Sequence, residues 1–392
     1  MMKRFDVVIV GGAAVGSAAA YFLAAESGFR GSVLVIEKDF SYQRCATALS
    51  AASIRHQFST PENIRLSQFG TEFIRHVGEH LCVDGEAPEV GFHEGGYLFL
   101  ASAAGRDTLA SNHRVQRDLG ADVALLDPAQ LRERFPWLAT DDLAAGSLGL
   151  SGEGWLDAYA LMRGFRRKAI ALGATYREAA VVGVERCGHR INEVKLHDGT
   201  RVACGSVINA AGIGAAALAR AAGIALPVEP RKRSVFHFDS PASLPGCPLV
   251  IDPSGAYFRP EGNSFIGGIA PPASDDPPCD DFEVQHELFD AVLWPTLAAR
   301  VPGFEAMRLR HAWAGHYDTN TLDHNVILGP HPDIDNLMFA NGFSGHGLQH
   351  AAGVGRALAE LVMHGGYRTL DLSRFGWNRV IQNRPLREIN VV

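Results

Sequence analysis

The chain has 392 residues, with 36 basic and 43 acidic side chains and a formal charge of −7. That balance argues against a nucleic-acid binder, which would carry a basic stripe. With 47% hydrophobic and 20% charged residues, it reads as a folded protein of two or three domains and not a disordered chain. Cys45, Cys82, Cys187, Cys204, Cys247 and Cys279 form no CxxC pair and no zinc spacing, so free thiols and no metal are expected.

Met1 to Arg4 is basic and Val7 to Ala25 is mostly small or apolar, a pattern shared with signal peptides and anchors. Asp6, Gly11, Gly12 and Gly16 argue against a membrane helix. The expectation is a soluble, cytoplasmic chain with no integral membrane segment.

Phe5–Val10 reads as a buried parallel strand, rich in β-branched residues and closed by glycine. Gly11-Gly12-Ala13-Ala14-Val15-Gly16 follows, then a helix over Ser17–Glu26 and a strand over Ser32–Ile36 that ends at Glu37 and Lys38. The interval from Gly16 to Glu37 matches the roughly 20 residues between a phosphate turn and a ribose-binding acid. Gly11 permits the tight turn, the helix N-terminus offers amides to a pyrophosphate, and Glu37 accepts from ribose hydroxyls. An acid there disfavours a 2′-phosphate. Ala13 departs from the G-x-G-x-x-G pattern, placing a methyl where the pyrophosphate approaches. The unit alone does not separate FAD from NAD.

Thr60-Pro61-Glu62 predicts a helix start with a capping threonine, and Leu66, Phe69, Phe73, Ile74 and Val77 supply its apolar face. A strand is expected at Gly95–Leu100 and a short helix after Asp127-Pro128. Another helix follows Leu156-Asp157, with Leu161, Phe165, Ala169 and Leu172 on one face and Gly173 as its stop. Strands are expected near Ala180–Val184, Glu193–Leu196 and Ser206–Asn209. Asn209-Ala210-Ala211-Gly212 is a second strand-to-glycine junction, placed to flank the same nucleotide. From Pro227 to Pro278 proline and aromatics rise, and short strands appear at Ser234–Phe238 and Ala256–Arg259. This segment reads as an inserted β-rich substrate domain.

Leu337–Ala340 is a strand, Asn341–Gly347 a glycine-rich turn, and a helix runs on to about His364 with Arg356 and Glu360 as an i,i+4 pair. A glycine loop feeding a helix N-terminus is a second anion-favouring site. Two such sites suit an extended cofactor, a pyrophosphate at one and the electron-rich ring of a flavin at the other. That favours FAD over NAD.

These blocks, together with Tyr257–Glu261, Trp313–Asp318, Asn325–Gly329 and Gly342–Gly347, resemble the FAD-dependent D-amino acid oxidase/sarcosine oxidase/glycine oxidase superfamily over nearly the whole chain. Ser53–Ser59, Pro230–Arg233 and Tyr317–Thr321 are similar to a little-characterised branch that includes a mitochondrial protein linked to respiratory-chain assembly. The resemblance implies an α/β fold: a discontinuous Rossmann-like FAD-binding domain (1–85, 146–226, 310–392) with an inserted β-rich α+β substrate domain (86–145, 227–309). It implies hydride transfer from an amine-bearing carbon of an amino acid to flavin N5, giving an imine that hydrolyses, with O2 or an electron carrier as acceptor.

The resemblance places FAD against Gly11, Ala13, Ala14, Val15, Gly16, Glu37, Lys38, Ser50, Ala51, Ala52, Val181, Ala211, Gly212 and Gly315. It adds Gly342, Phe343, Ser344, Gly345, His346, Gly347, Leu348 and Gln349, with His346 serving through its backbone amide. Gly315 and Ser50 stand where relatives carry flavin-linking side chains, so the flavin is expected to be non-covalent. Arg55 is expected to bind the substrate carboxylate, with Gln349 in place of a second cation. Tyr257, Arg259, His316 and Tyr317 complete the expected substrate contacts, and Arg231-Lys232-Arg233 is a candidate for steering an anion. Ile266 replaces an oxygen-activating lysine, which hints at a dehydrogenase. Two rival readings are a 2-hydroxy acid dehydrogenase and a flavoprotein scaffold.

Overall fold

The computed structural model describes residues 4–389; Met1–Lys3, the start of the basic segment, lie outside the described residues. β1 (Arg4–Val10), α1 (Ala14–Ala25) and β2 (Val33–Glu37) open the chain. β1 lies parallel between β2 and the Arg201–Asn209 strand, which in turn lies parallel to Ile334–Asn341. Strand order therefore diverges to both sides of β1, the place where open α/β sheets bind ligands at their carboxyl ends. Both faces of this sheet are covered, which explains its valine and isoleucine runs. Val7 and Ile9 pack with α1, and Val8 and Val10 pack on the opposite side with Leu218 and Phe339.

Three helices cover the first of these faces: α1, Ala158–Ala171 and the closing helix Gly347–His364. α2 (Pro61–Arg75) lies across the closing helix. A Cβ at Gly70 would sit 2.4 Å from the Gln349 carbonyl oxygen, so only glycine lets α2 approach the start of that helix.

The second sheet runs Arg308–Asn320, Val228–Asp239, Ser264–Gly268, Tyr257–Glu261, Leu249–Ile251, Tyr97–Ala101, Ala145–Gly149, Val123–Leu126. Phe236, Phe238, Phe258, Phe265, Phe289 and Phe304 build the core on one of its faces. Period-two alternation turns Tyr257 and Arg259 to the other face.

Several expectations need correction. The strand expected as Ser234–Phe238 spans 12 residues, Val228–Asp239. It is sustained by antiparallel pairing with Arg308–Asn320 along its whole length. The boundaries at 146 and 310 fall inside strands of the second sheet. Leu172 sits at the helix C-cap and is 41% exposed, off the buried face of Leu161, Phe165 and Ala169. The Thr60 hydroxyl makes no cap bond. Instead the Glu388 carboxylate, from the far end of the chain, accepts from the Ser59 and Thr60 amides. All six cysteines are free. No helix among the described residues is long and apolar enough to cross a membrane.

Candidate active site

A cavity of about 470 Å³ opens at the carboxyl ends of β1, β2 and the Arg201–Asn209 strand. Gly11, Ala13, Glu37, Lys38, Val181, Ala211 and Gly212, all placed against FAD by the resemblance, line it. Gly11 has φ +100°, and a Cβ there would lie 2.2 Å from the Ala210 carbonyl oxygen. A Cβ at Gly16 would lie 1.9 Å from the Gly11 carbonyl oxygen, so α1 can start this close to β1 only with glycine there. Glu37 is fixed in place: one carboxylate oxygen accepts from the Gly12 amide at 2.8 Å and the other from Asp39 at 3.1 Å. Ala14, Val15 and Gly16 stand behind the lining in the first turn of α1. Sequence reading missed Arg44 and Cys45, which also line the cavity. Their signal was position alone, a few residues past Glu37.

Residues 47–52 carry the chain from this cavity to the second sheet. The Ala14 amide donates to Thr47 Oγ1 at 3.4 Å, and Trp313 Nε1 donates to the Leu49 carbonyl at 2.9 Å. Ser50 Oγ donates to Thr47 and accepts from the Ala52 amide. Ala52 has φ +55°, a strained value for alanine that this turn imposes. A Cβ at Gly315 would meet Leu49 Cβ at 2.9 Å, so the turn lies directly on the Arg308–Asn320 strand.

Beyond the turn, Arg55 is half-buried and its guanidinium lies 4.1 Å from the Phe58 ring centre. Its donors reach the Gln57 carbonyl at 3.3 Å and His346 Nε2 at 3.3 Å, and no carboxylate among the described residues pairs with it. An arginine only donates, so His346 Nε2 is the acceptor and the ring is neutral. Burial, and then the Arg55 charge, hold His346 well below the usual histidine range. Gln349 Oε1 accepts from the Arg55 amide at 3.0 Å. Tyr257 and Tyr317 stand close to one another and to Tyr97, half-buried. Burial raises the Tyr317 phenol, and Arg233 and Arg55 oppose that rise. Burial likewise raises Tyr257, so both phenols remain hydrogen-bond donors at neutral pH.

Two sequence-predicted contacts lie elsewhere. His316 alternates with Tyr317 along the strand and so faces the other way; it lines the nucleotide cavity against Phe282, at 4.6 Å between ring centres. Arg259 is buried and already committed, donating to the Ala51 carbonyl at 3.1 Å and pairing with Glu261 at 2.5 Å. It holds the 50–52 turn. Gln349 acts on the Arg55 backbone through its oxygen, a positioning role that sequence alone did not suggest. The expected role of the His346 amide also changes, because that N–H donates to the Phe343 carbonyl at 3.0 Å while the ring supports Arg55. Ile266 is buried mid-sheet, paired with Arg259 and His237.

Gly342–Leu348 forms the wall beside Tyr317, where a Cβ at Gly345 would press 2.7 Å from the ring. Asp318 holds this turn: its carboxylate accepts from the Gly342 amide at 2.7 Å, and its carbonyl accepts from Ser344 at 3.1 Å. Burial pushes the Asp318 carboxyl up to about 6, against the pull of the Gly342 and Phe343 amides. Glu153, fully buried, accepts from the His56 amide at 2.6 Å and Gln57 Nε2 at 2.8 Å, fixing the loop that presents Arg55. Neither carboxylate was singled out from the sequence, because each acts on a backbone distant in the chain.

For FAD the residues fit. The glycine turn leaves room at the N-terminus of α1, Glu37 is poised for ribose, and the closing helix begins beside the Arg55 cluster with its dipole toward it. The FAD dependent oxidoreductase family matches residues 6–361. The chain is 43% identical to FAD-dependent oxidoreductase domain-containing protein 1 of Xenopus laevis, covering 100% of this chain and 85% of that one. Glycine oxidase of Geobacillus kaustophilus is 26% identical, with 97% and 98% covered. The crystal structure of L-proline dehydrogenase from P. horikoshii superposes with a TM-score of 0.86 at 26% identity, covering 98% of this chain and 100% of that one. With a cradle that fits the cofactor and a match along nearly its whole length, this chain belongs to the FAD-dependent oxidoreductase family and is an enzyme that uses FAD.

Proposed function

We propose that the enzyme oxidises the C–N bond of an amino acid or N-substituted amino acid. The observation that carries this reading is Arg55: a half-buried guanidinium with no carboxylate partner among the described residues, backed by an aromatic ring and facing a site walled by phenols. A charge in that setting is stabilised by an anion supplied from outside, and a carboxylate matches the planar fork. Bound FAD supplies the two-electron acceptor. The chain's own contribution is position. Gln349 and Glu153 fix the Arg55 loop, neutral His346 aims the guanidinium, and Tyr257 and Tyr317 offer hydroxyl donors with no hydrogen-bond partner among the described residues. Relatives named for glycine and L-proline support the same substrate class.

The test is anaerobic bleaching of the flavin by a panel of N-methylated, D- and L-amino acids, repeated with 2-hydroxy acids. Amines are expected to bleach it. Arg55→Ala should lower kcat/KM roughly 10²-fold, about 3 kcal/mol, mainly through KM and at unchanged flavin content. Turnover unaffected by Arg55→Ala, or reduction by hydroxy acids alone, would overturn the reading.

A further inference from the structure

Arg233 and Tyr317 lie on neighbouring strands of the second sheet, on the face that looks toward the Arg55 cluster. In the register Arg231 pairs with Tyr317 and Arg233 with Gly315, so Arg231, Arg233 and Tyr317 share that face. The Arg233 guanidinium lies 5.4 Å from the Tyr317 ring centre. Arg55 and Arg233 thus both act on one phenol. They differ in one respect. Arg55 has no carboxylate partner among the described residues, whereas Arg233 holds Asp276 fork to fork, with both N–H···O distances 2.8 Å.

Asp276 belongs to a segment outside the sheet. Residues 269–285 leave the Ser264–Gly268 strand and cross the open edge of Val228–Asp239, where Pro230 offers no N–H and the neighbouring strand pairs only with Phe236–Phe238. The segment is tied down at separate points. The Cys279 amide donates to the Pro230 carbonyl at 3.0 Å, Gln285 to Ser234 Oγ at 3.1 Å, and Lys232 pairs with Asp281 at 2.6 Å. Arg231 donates to the Asp276 carbonyl. Most of these bonds lie away from the Arg233 fork, so Asp276 can leave it without the strap detaching.

We infer that Arg233 is a specificity residue, and that Asp276 occupies the position of a second acidic group of the substrate. The substrate class is then an amino acid with two carboxylates, one on Arg55 and the other displacing Asp276 from Arg233. The exchange replaces one carboxylate with another on the same planar fork, so no new type of interaction is needed. This rests on the proposed amino-acid chemistry, and the test separates the two.

Unreactive acids are titrated into the holoenzyme, with binding read from perturbation of the flavin spectrum: acetate and propionate against succinate and glutarate. The dicarboxylates are expected to bind at least tenfold more tightly than the monocarboxylates. Arg233→Gln should erase that ratio, and Asp276→Ala should widen it about tenfold by removing the internal competitor. Should the monocarboxylates bind while dicarboxylates gain nothing, or should Asp276→Ala leave the ratio unmoved, this inference falls and the Arg55 reading survives. If neither class perturbs the flavin, both fall. A thermal unfolding midpoint for each variant shows whether a changed ratio reflects the site and not loss of structure.

Discussion

The two ends of the site are built by different means. At the nucleotide end the backbone makes the shape: a tight turn, a helix start and one acid at a strand end, all inside residues 10–37. At the substrate end side chains make it, and they arrive from positions 55, 97, 257, 317, 346 and 349. Two of the segments that carry or adjoin them are held by partners remote in sequence, Glu153 on the 55–57 loop and Asp318 on the 342–344 turn. A backbone site tolerates little change in shape. A side-chain site tolerates change in shape but not in charge or hydrogen bonding.

The sharpest way to break that contrast is at Gly16. Its Cβ would lie 1.9 Å from the Gly11 carbonyl oxygen, a backbone atom that cannot move without opening the turn. Gly16→Val is expected to abolish FAD binding, read as loss of the 450 nm band per mole of protein. Normal flavin content in that variant would show that the turn is not what holds the cofactor.

The same contrast explains what the sequence made legible. Glycine spacing, strand, helix and acid are neighbours in the chain, so their joint meaning can be read directly. Arg55, Tyr257 and Tyr317 were reached through family resemblance, and the structure places them together. His316 came through the same resemblance, but strand alternation turns it away from Tyr317 and into the nucleotide cavity. Arg259 was overvalued because it is committed to Ala51, on a turn whose course the sequence does not reveal, and to Glu261, two residues on along its own strand. Glu153 and Glu388 were invisible for the same reason: their hydrogen bonds cross the chain.

Glu153 offers the next test, smaller and dependent on pH. Burial pushes its carboxyl up to about 7, above the unfolded value of 4.5. The folded state therefore binds this proton more tightly than the unfolded chain does. Stability falls as pH rises from 4.5 to 7, and the full penalty, up to about 3 kcal/mol, applies above that range. Glu153→Gln removes the penalty and also one of two acceptors. The variant should gain on the wild type as pH rises from 4.5 to 8, seen as a narrowing or reversing gap in unfolding midpoint. A gap independent of pH would mean that Glu153 keeps its charge when folded.

The far C-terminal segment sets a smaller effect at the substrate end. Glu388 accepts from the Ser59 and Thr60 amides and from Asn63 Nδ2, completing the N-terminus of α2 that Thr60 leaves open. Glu388→Ala is expected to cost about 1–2 kcal/mol, a few degrees in unfolding midpoint, with flavin content unchanged. An unchanged midpoint would show that water satisfies those amides equally well.

Ala13 brings the comparison back to the backbone with the smallest change. It sits at the N-cap of α1 with φ −72° and ψ −160°, a conformation alanine adopts without strain. Its methyl is therefore unstrained, packs against the edge of the core, and limits how closely a pyrophosphate approaches the helix. Ala13→Gly should give equal or slightly tighter FAD binding. It should also lose about 0.5–1 kcal/mol of stability in the cofactor-free protein, because glycine has more freedom to lose on folding. The two effects have opposite sign in the holoenzyme, so affinity and apo-protein stability must be measured separately. Clear weakening of FAD binding would show that the methyl supports the cofactor, and that this end too depends on a side chain.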